Sequence, residues 1–194
     1  MLGIPLGLLY ANAGEWFIHK HVLHGLGKKR DSIWNFHWHD HHRACRQHGH
    51  VDPGYSNKVL SWNAQAKEAT ALVAVGAAHA PLLPVAPFFT ATVWYSMYNY
   101  YKVHKRAHRD PEWARNNLPW HYDHHMGRDQ DQNWCVTRPW FDLIMGTRVP
   151  YVGTEHQRKK QKRRSQSGVV TSLFGRKRRR YANNLKGKAE RVSA

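Results

Sequence analysis

An all-α membrane protein is the fold class this sequence predicts, and three observations predict it. Residues 69–101, 33 in all, carry no formal charge, a length that suits membrane insertion. Pro81, Pro84 and Pro87 interrupt that stretch near its middle. Proline removes a helical hydrogen bond and restricts its predecessor, so the stretch reads as two apolar legs, 69–80 and 88–103, joined by a turn. Histidines flank the legs at separations of three and four, the spacing that shares a helix face.

The elements follow in chain order. Residues 1–14 form an apolar run without the basic start or small-residue cleavage site of a secretory signal. A first histidine cluster runs from His19 to His50. Residues 52–68 are polar and mixed, and open on the turn signal Asp52-Pro53-Gly54. The two legs come next, then a second cluster from His104 to His125, then residues 133–147. At about 1.5 Å per residue each leg is shorter than the ~30 Å hydrocarbon core. Either the legs extend into their flanks as short transmembrane helices, or the hairpin is re-entrant. Both arrangements keep the two histidine clusters on one side of the bilayer, which a single crossing does not. The division expected is a domain at 1–153 and a basic, disordered tail at 154–194.

Charge and cysteine content narrow the classes. The formal net charge is +17, but fourteen Lys or Arg and one acid, Glu190, lie between Arg158 and Arg191. The remainder is mildly basic and holds no nucleic-acid module, so no specific nucleic acid is expected. The tail fits the positive-inside rule or anionic headgroups better, which puts it and the histidines on the cytosolic side. Cys45 and Cys135 have no disulfide-framework or zinc-knuckle spacing and read as reduced thiols.

Sixteen histidines are the anomaly, because imidazole is the commonest metal-ligating side chain. His104 and His108 are four apart. His121, His124 and His125 fall at i, i+3, i+4. His37 and His41 are four apart, with His42 adjacent. His19 and His24 are five apart, roughly 140° around an α-helix, and need a helix end or a bent segment to meet. These ten exceed one metal's needs, and two metals with four or five nitrogens each would use them. Imidazole suits zinc, copper, iron and nickel alike. His39, His48, His50 and His156 read as solvated or supporting, and His21 as a register alternative to His24. His79 reads as lining a substrate path or as hydrogen-bonded near the turn. Glu15, Asp40, Asp123, Asp129 and Asp131 are candidate carboxylates to orient the imidazoles.

The boxes His19-Lys-His-Val-Leu-His24, His37-Trp-His-Asp-His41-His42, His104-Lys-Arg-Ala-His108 and His121-Tyr-Asp-His124-His125 resemble those of the fatty acid hydroxylase/sterol desaturase superfamily. The lead-in Glu15-Trp16 and the closing Asn133-Trp-Cys-Val-Thr137-Arg-Pro-Trp-Phe-Asp142-Leu-Ile-Met-Gly146-Thr147 add to the likeness, which covers about residues 15–150. It implies an integral membrane catalytic domain whose cytosolic helical cap holds two Fe ions, with zinc possible in isolated protein. It implies O2-dependent hydroxylation or desaturation of a lipid alkyl C–H bond, with the active site facing the cytosol. The membrane would be the endoplasmic reticulum in a eukaryote or the inner membrane in a bacterium. No cytochrome b5-like region precedes the boxes, so electrons are expected from a separate donor of cytochrome b5 or ferredoxin type with its reductase. Ten histidines look closest to the fatty acid 2-hydroxylase branch, while the small size and the His19–Gly25 segment look like carotenoid hydroxylases. A zinc-binding, non-redox membrane protein is the rival reading. Histidines at both 37 and 39 leave the first ligand of the second box open. Trp120, Tyr122 and Trp134 are candidates to line the substrate pocket.

Overall fold

The computed structural model describes residues 2–163, which are helical with no strand among them. One compact unit runs up to Val152 and contains every element named below. Residues 155–163, in a second unit, are helical and carry a Lys159–Glu155 ion pair one turn apart. The rest of the basic tail, Arg176–Arg180 included, lies outside the described residues.

Helix α1 (Gly3–Phe17) continues without a break into a π-helical segment, Ile18–Leu26. A second π-helical turn, His37–His42, leads into α2 (Arg43–Gln47). A 3-10 turn at Pro53–Ser56 is capped by Asp52, whose side chain accepts from the Gly54 amide. Asn63 caps α3 (Ala64–His79) in the same way through the Ala66 amide.

The expected hairpin is α3 against α4 (Pro87–Arg109), joined by a proline-bearing turn. The Trp94 indole donates to the Gly76 carbonyl across it. The hairpin starts and stops outside the apolar stretch, because Asn63 supplies a cap six residues before it and α4 carries on through His104 and His108. Among the described residues no helix is long and apolar enough to cross a membrane.

Proline then folds the chain sharply twice. Pro111 and Pro119 each stand at the first position of a helix, where no amide proton is needed and φ is already set. They start α5 (Pro111–Asn117) and α6 (Pro119–Met126), with single-residue junctions at Asp110 and Leu118. This doubles α6 back beside the end of α4, where Ala107, Ala114 and Leu118 form a small apolar cluster. A last short helix, α7 (Trp140–Ile144), packs on α1.

Close contact of α1 with α4 depends on two glycines one turn apart. A Cβ on Gly3 would sit 2.8 Å from the Phe89 amide nitrogen, and one on Gly7 2.8 Å from the Thr92 Cβ. Small residues at this spacing let two backbones approach, as in membrane helix pairs.

The distribution of apolar side chains is inverted. Nine of the twelve largest fully buried side chains are histidines. Large apolar groups face outward instead: Leu2, Leu6, Val73, Val85, Phe88, Tyr95, Leu143 and Ile144 are all more than half exposed. They belong to α1, the α3–α4 hairpin and α7. Cys45 and Cys135 are buried free thiols.

Gly7→Ala is therefore expected to destabilise the unit by about 1–3 kcal/mol, the usual cost of overpacking. Gly14→Ala meets nothing within 4 Å and should gain up to about 1 kcal/mol of helix propensity. Denaturant titration in detergent of the two variants checks the difference in sign.

Candidate metal centre

The ten expected histidines are all buried and lie together at the centre of the unit. His19, His24, His37, His42 and His124 form one group whose ligating atoms fall within 4.8 Å of one another. His104, His108, His121 and His125 form a second. His41 belongs beside the second, grouped with His108, His125 and Cys45. The nests adjoin, since the His42 and His125 rings are 4.4 Å apart between centroids.

Backbone geometry decides who pairs with whom. In a π-helix the hydrogen bonds run from i to i+5, as from the Gly27 amide to the Val22 carbonyl. Residues five apart then stack on one face. This is how His19 and His24 come within 5.1 Å, ring to ring. The same geometry corrects the expected His37–His41 pairing. His37 meets His42, with 3.1 Å between their Nε2 atoms, and His41 turns to the other nest. In the α-helical segments the i, i+4 pairs hold: His104 with His108, and His121 with His125. The expected single face of α6 divides, with His124 joining the first nest. Both His-His dipeptides thus give one residue to each nest.

Neutral imidazoles leave several buried Nε2 atoms without donors. His104 Nδ1 lies 2.6 Å from a Glu68 carboxylate oxygen and His108 Nδ1 3.0 Å from the His50 carbonyl. Each Nδ1 donates there, so both Nε2 atoms are bare, yet they stand 3.0 Å apart. The first nest repeats the pattern. The Nδ1 atoms of His19, His24 and His124 face the Trp134 carbonyl, Asp131 and the Gln132 carbonyl. Their Nε2 atoms crowd His37 and His42 at 3.0–3.2 Å. The Nε2 atoms of His41 and His125 are buried with no partner at all. Buried lone pairs without donors are costly. With metal–nitrogen bonds of about 2.0–2.1 Å, adjacent ligands stand about 2.9–3.4 Å apart, which matches the separations here. The nests can hold metal ions.

Electrostatics point the same way. Burial lowers the pKa of every imidazole in the first nest, His19 to about 3, with the neighbouring rings adding to the effect. His108, His121 and His125 are lowered for the same reason. Neutral imidazole is the ligating form. His41 differs. Burial opposes its charge, but the Cys45 sulfur and the Asp52 carboxylate outweigh it and raise the pKa to about 9, so an ion taken up at its Nε2 would displace a proton.

The orienting groups are mostly not those expected. Asp131 takes the role, 3.0 Å from His24 Nδ1 and paired with Lys28. Glu15 instead accepts from the Val136 and Thr137 amides and the Thr137 hydroxyl, and burial pushes its carboxyl up to about 7. Asp123 pairs with Arg148, Asp129 accepts from the Asp131 amide, and Asp40 is exposed. Sequence reasoning missed Asp52 on His41, Glu68 on His104 and the Gln130 amide, 2.7 Å from His42 Nδ1. Asp52 and Glu68 are the first and last residues of the polar stretch between the histidine clusters, 11 and 36 residues from their partners.

The other histidines sort clearly. His39 bonds the Lys28 carbonyl and is not in either nest, so His37 is the box residue. His21 is exposed against Trp16 and Phe17, and His48 and His156 are exposed. His50 is fully buried and supports His108 through its carbonyl, with backbone at φ 87°. His79 bonds the Tyr10 hydroxyl and the Val75 carbonyl, tying α3 to α1.

The closing segment is a brace. Asp142 accepts from the Trp134 and Cys135 amides and the Thr147 hydroxyl, and this fixes the Trp134 carbonyl over His19. The Trp134 ring lies 4.8 Å from that of His24. Of the expected pocket aromatics, Trp120 packs in the α4–α6 cluster and donates to the Val136 carbonyl, and Tyr122 stacks on His50.

Fold and site together define a class: a protein helical among its described residues, with paired, buried histidine nests that could hold metal ions. The chain matches no protein-family model, no curated protein and no solved structure.

Glu68→Ala removes the acceptor on His104 Nδ1. It is expected to weaken metal retention in the second nest by about 10–100-fold, the usual effect of losing a partner of a metal-bound histidine. Chelator competition with metal readout measures this, and retention equal to the parent would count against the pairing.

Proposed function

We propose that the protein is a membrane-seated di-iron oxygenase that hydroxylates, or desaturates, a lipid alkyl chain. The observation that carries this reading is the convergence of ten buried imidazoles into two adjoining nests beneath helices whose outer faces are apolar. The resemblance of the four boxes and the closing segment to the fatty acid hydroxylase/sterol desaturase superfamily supports it.

His19, His24, His37, His42 and His124 would hold one ion, and His41, His104, His108, His121 and His125 the other. When bound, such a pair supplies reductive activation of O2 and insertion of one oxygen atom into a C–H bond, the other atom leaving as water. The remaining work falls to the chain. The carbonyls of Trp134, Gln132 and His50, with Asp52, Glu68 and Asp131, hold six imidazoles in the Nδ1-protonated tautomer that presents Nε2. The full burial of the nests excludes water. Two electrons and two protons per turnover come from a separate donor.

Membrane seating is supported by the exposed apolar residues of α1, α3, α4 and α7. A soluble unit rarely exposes so much contiguous apolar surface. With no helix among the described residues both long and apolar enough to cross, the hairpin and α1 would dip into one leaflet, the re-entrant form of the sequence expectation. A lipid is then the substrate class that reaches the site without leaving the bilayer. Fatty acyl, sphingolipid, sterol and carotenoid chains all meet this description.

Elemental analysis with Mössbauer spectroscopy on detergent-purified protein tests the reading. About two coupled irons per chain are expected. Two zincs, with no O2-dependent turnover after iron reconstitution, would overturn it in favour of a non-redox metalloprotein. His124→Ala combined with His125→Ala removes one ligand from each nest. Metal content is expected to fall in both, with turnover lost, and full content in that variant would sink the assignment.

A further inference from the structure

The end of α4 carries a surface feature that neither metal nest uses. Tyr98, Tyr101, Lys102, Lys105, Arg106 and Arg109 line an open groove of about 540 Å³, with Asp110 at its rim. Spacings of three, four and seven put them on one helix face, beside the face that carries His104 and His108. Asp110 is spent on capping α5 through the Trp113 amide. Among the described residues none of the four cations pairs with a carboxylate.

The groove is built rather than incidental. The Arg106 guanidinium stacks on Trp113, 4.3 Å from the ring centre, and the Lys105 ammonium lies 5.7 Å from that of Tyr101. The Tyr101 ring lies among the cations with its hydroxyl turned away from solvent, so the polar lining of the groove is set by the four cations.

Position along α4 identifies the occupant. From Phe88 through Tyr95 to Tyr98 the outer face is apolar and aromatic, and from Lys102 onward it is cationic. At ~1.5 Å per residue the apolar part measures about 16 Å, against ~15 Å for the hydrocarbon of one leaflet. A helix dipping to mid-bilayer would bring its tyrosines to the interface and its four cations among the headgroups.

We propose that this groove binds the phosphate of anionic lipid headgroups and so fixes the depth at which the metal nests sit. The proposal rests on the membrane-seated reading given above. A soluble acidic partner is the weaker occupant, because a protein seated on the cations would leave the continuous apolar strip beside them uncovered.

Lysine acetylation, mapped by mass spectrometry on the full chain in vesicles, tests it. The vesicles are phosphatidylcholine alone or phosphatidylcholine mixed with phosphatidylglycerol, and exposed Lys29 is the internal reference. Labelling of Lys102 and Lys105 is expected to fall several-fold on anionic vesicles, to recover in high salt, and to recover also in the Arg106→Gln, Arg109→Gln variant. Co-flotation with both vesicles but equal labelling on the two would overturn the headgroup site and leave membrane seating intact. Failure to co-float with either would remove the membrane reading and this site with it. Protection that appears only on adding an acidic electron-transfer protein would overturn the proposal and reassign the groove to protein docking.

Discussion

Bare imidazole lone pairs aimed at one another are the constraint on which this structure turns. A buried nitrogen without a donor is costly, and here such nitrogens meet at hydrogen-bond distance with the available protons already committed elsewhere. A metal cation between them would remove the conflict. The fold thus holds together nitrogens that oppose one another and that could ligate such an ion. Its centre is not a hydrophobic core that happens to contain a site.

Much of the remaining architecture follows. Glycines at 3 and 7 bring α1 against α4, and the single-residue junctions before α5 and α6 return the chain to the end of α4. All four boxes are anchored by groups from other segments: Asp131 and the Trp134 carbonyl for the first, Asp52 and Gln130 for the second, Glu68 and the His50 carbonyl for the third, and the Gln132 carbonyl for the fourth. Asp142 does not approach a nest, yet it positions the segment that does. The apolar groups that would line an ordinary interior are left to face outward.

The sequence made a good part of this legible. Helical class, the proline-turned hairpin and the ten box histidines could be read because local spacing and proline chemistry are local properties. The pairing of His37 with His42 could not, because it requires knowing that the backbone there is π-helical. Nor could the dividing of His124 from His121 and His125, which depends on which nest lies opposite each side of α6. Asp52 and Glu68 escaped because their partners are 11 and 36 residues away, while the acids inside the boxes, Asp40 and Asp123, stood nearer in sequence and point elsewhere. The limits of the hairpin were also misjudged: charge and hydropathy mark where the apolar stretch ends, but caps mark where a helix ends.

The π-helical form of residues 18–26 has a consequence for how such chains tolerate length changes. In an ordinary helix the loss of one residue swings everything beyond it by about 100°. Between His19 and His24 the same loss would convert a five-residue turn into a four-residue one, and both rings would still point the same way. The first box is therefore a place where a deletion is geometrically silent. Chains built on this plan are free to differ there by one residue while keeping every ligand direction downstream.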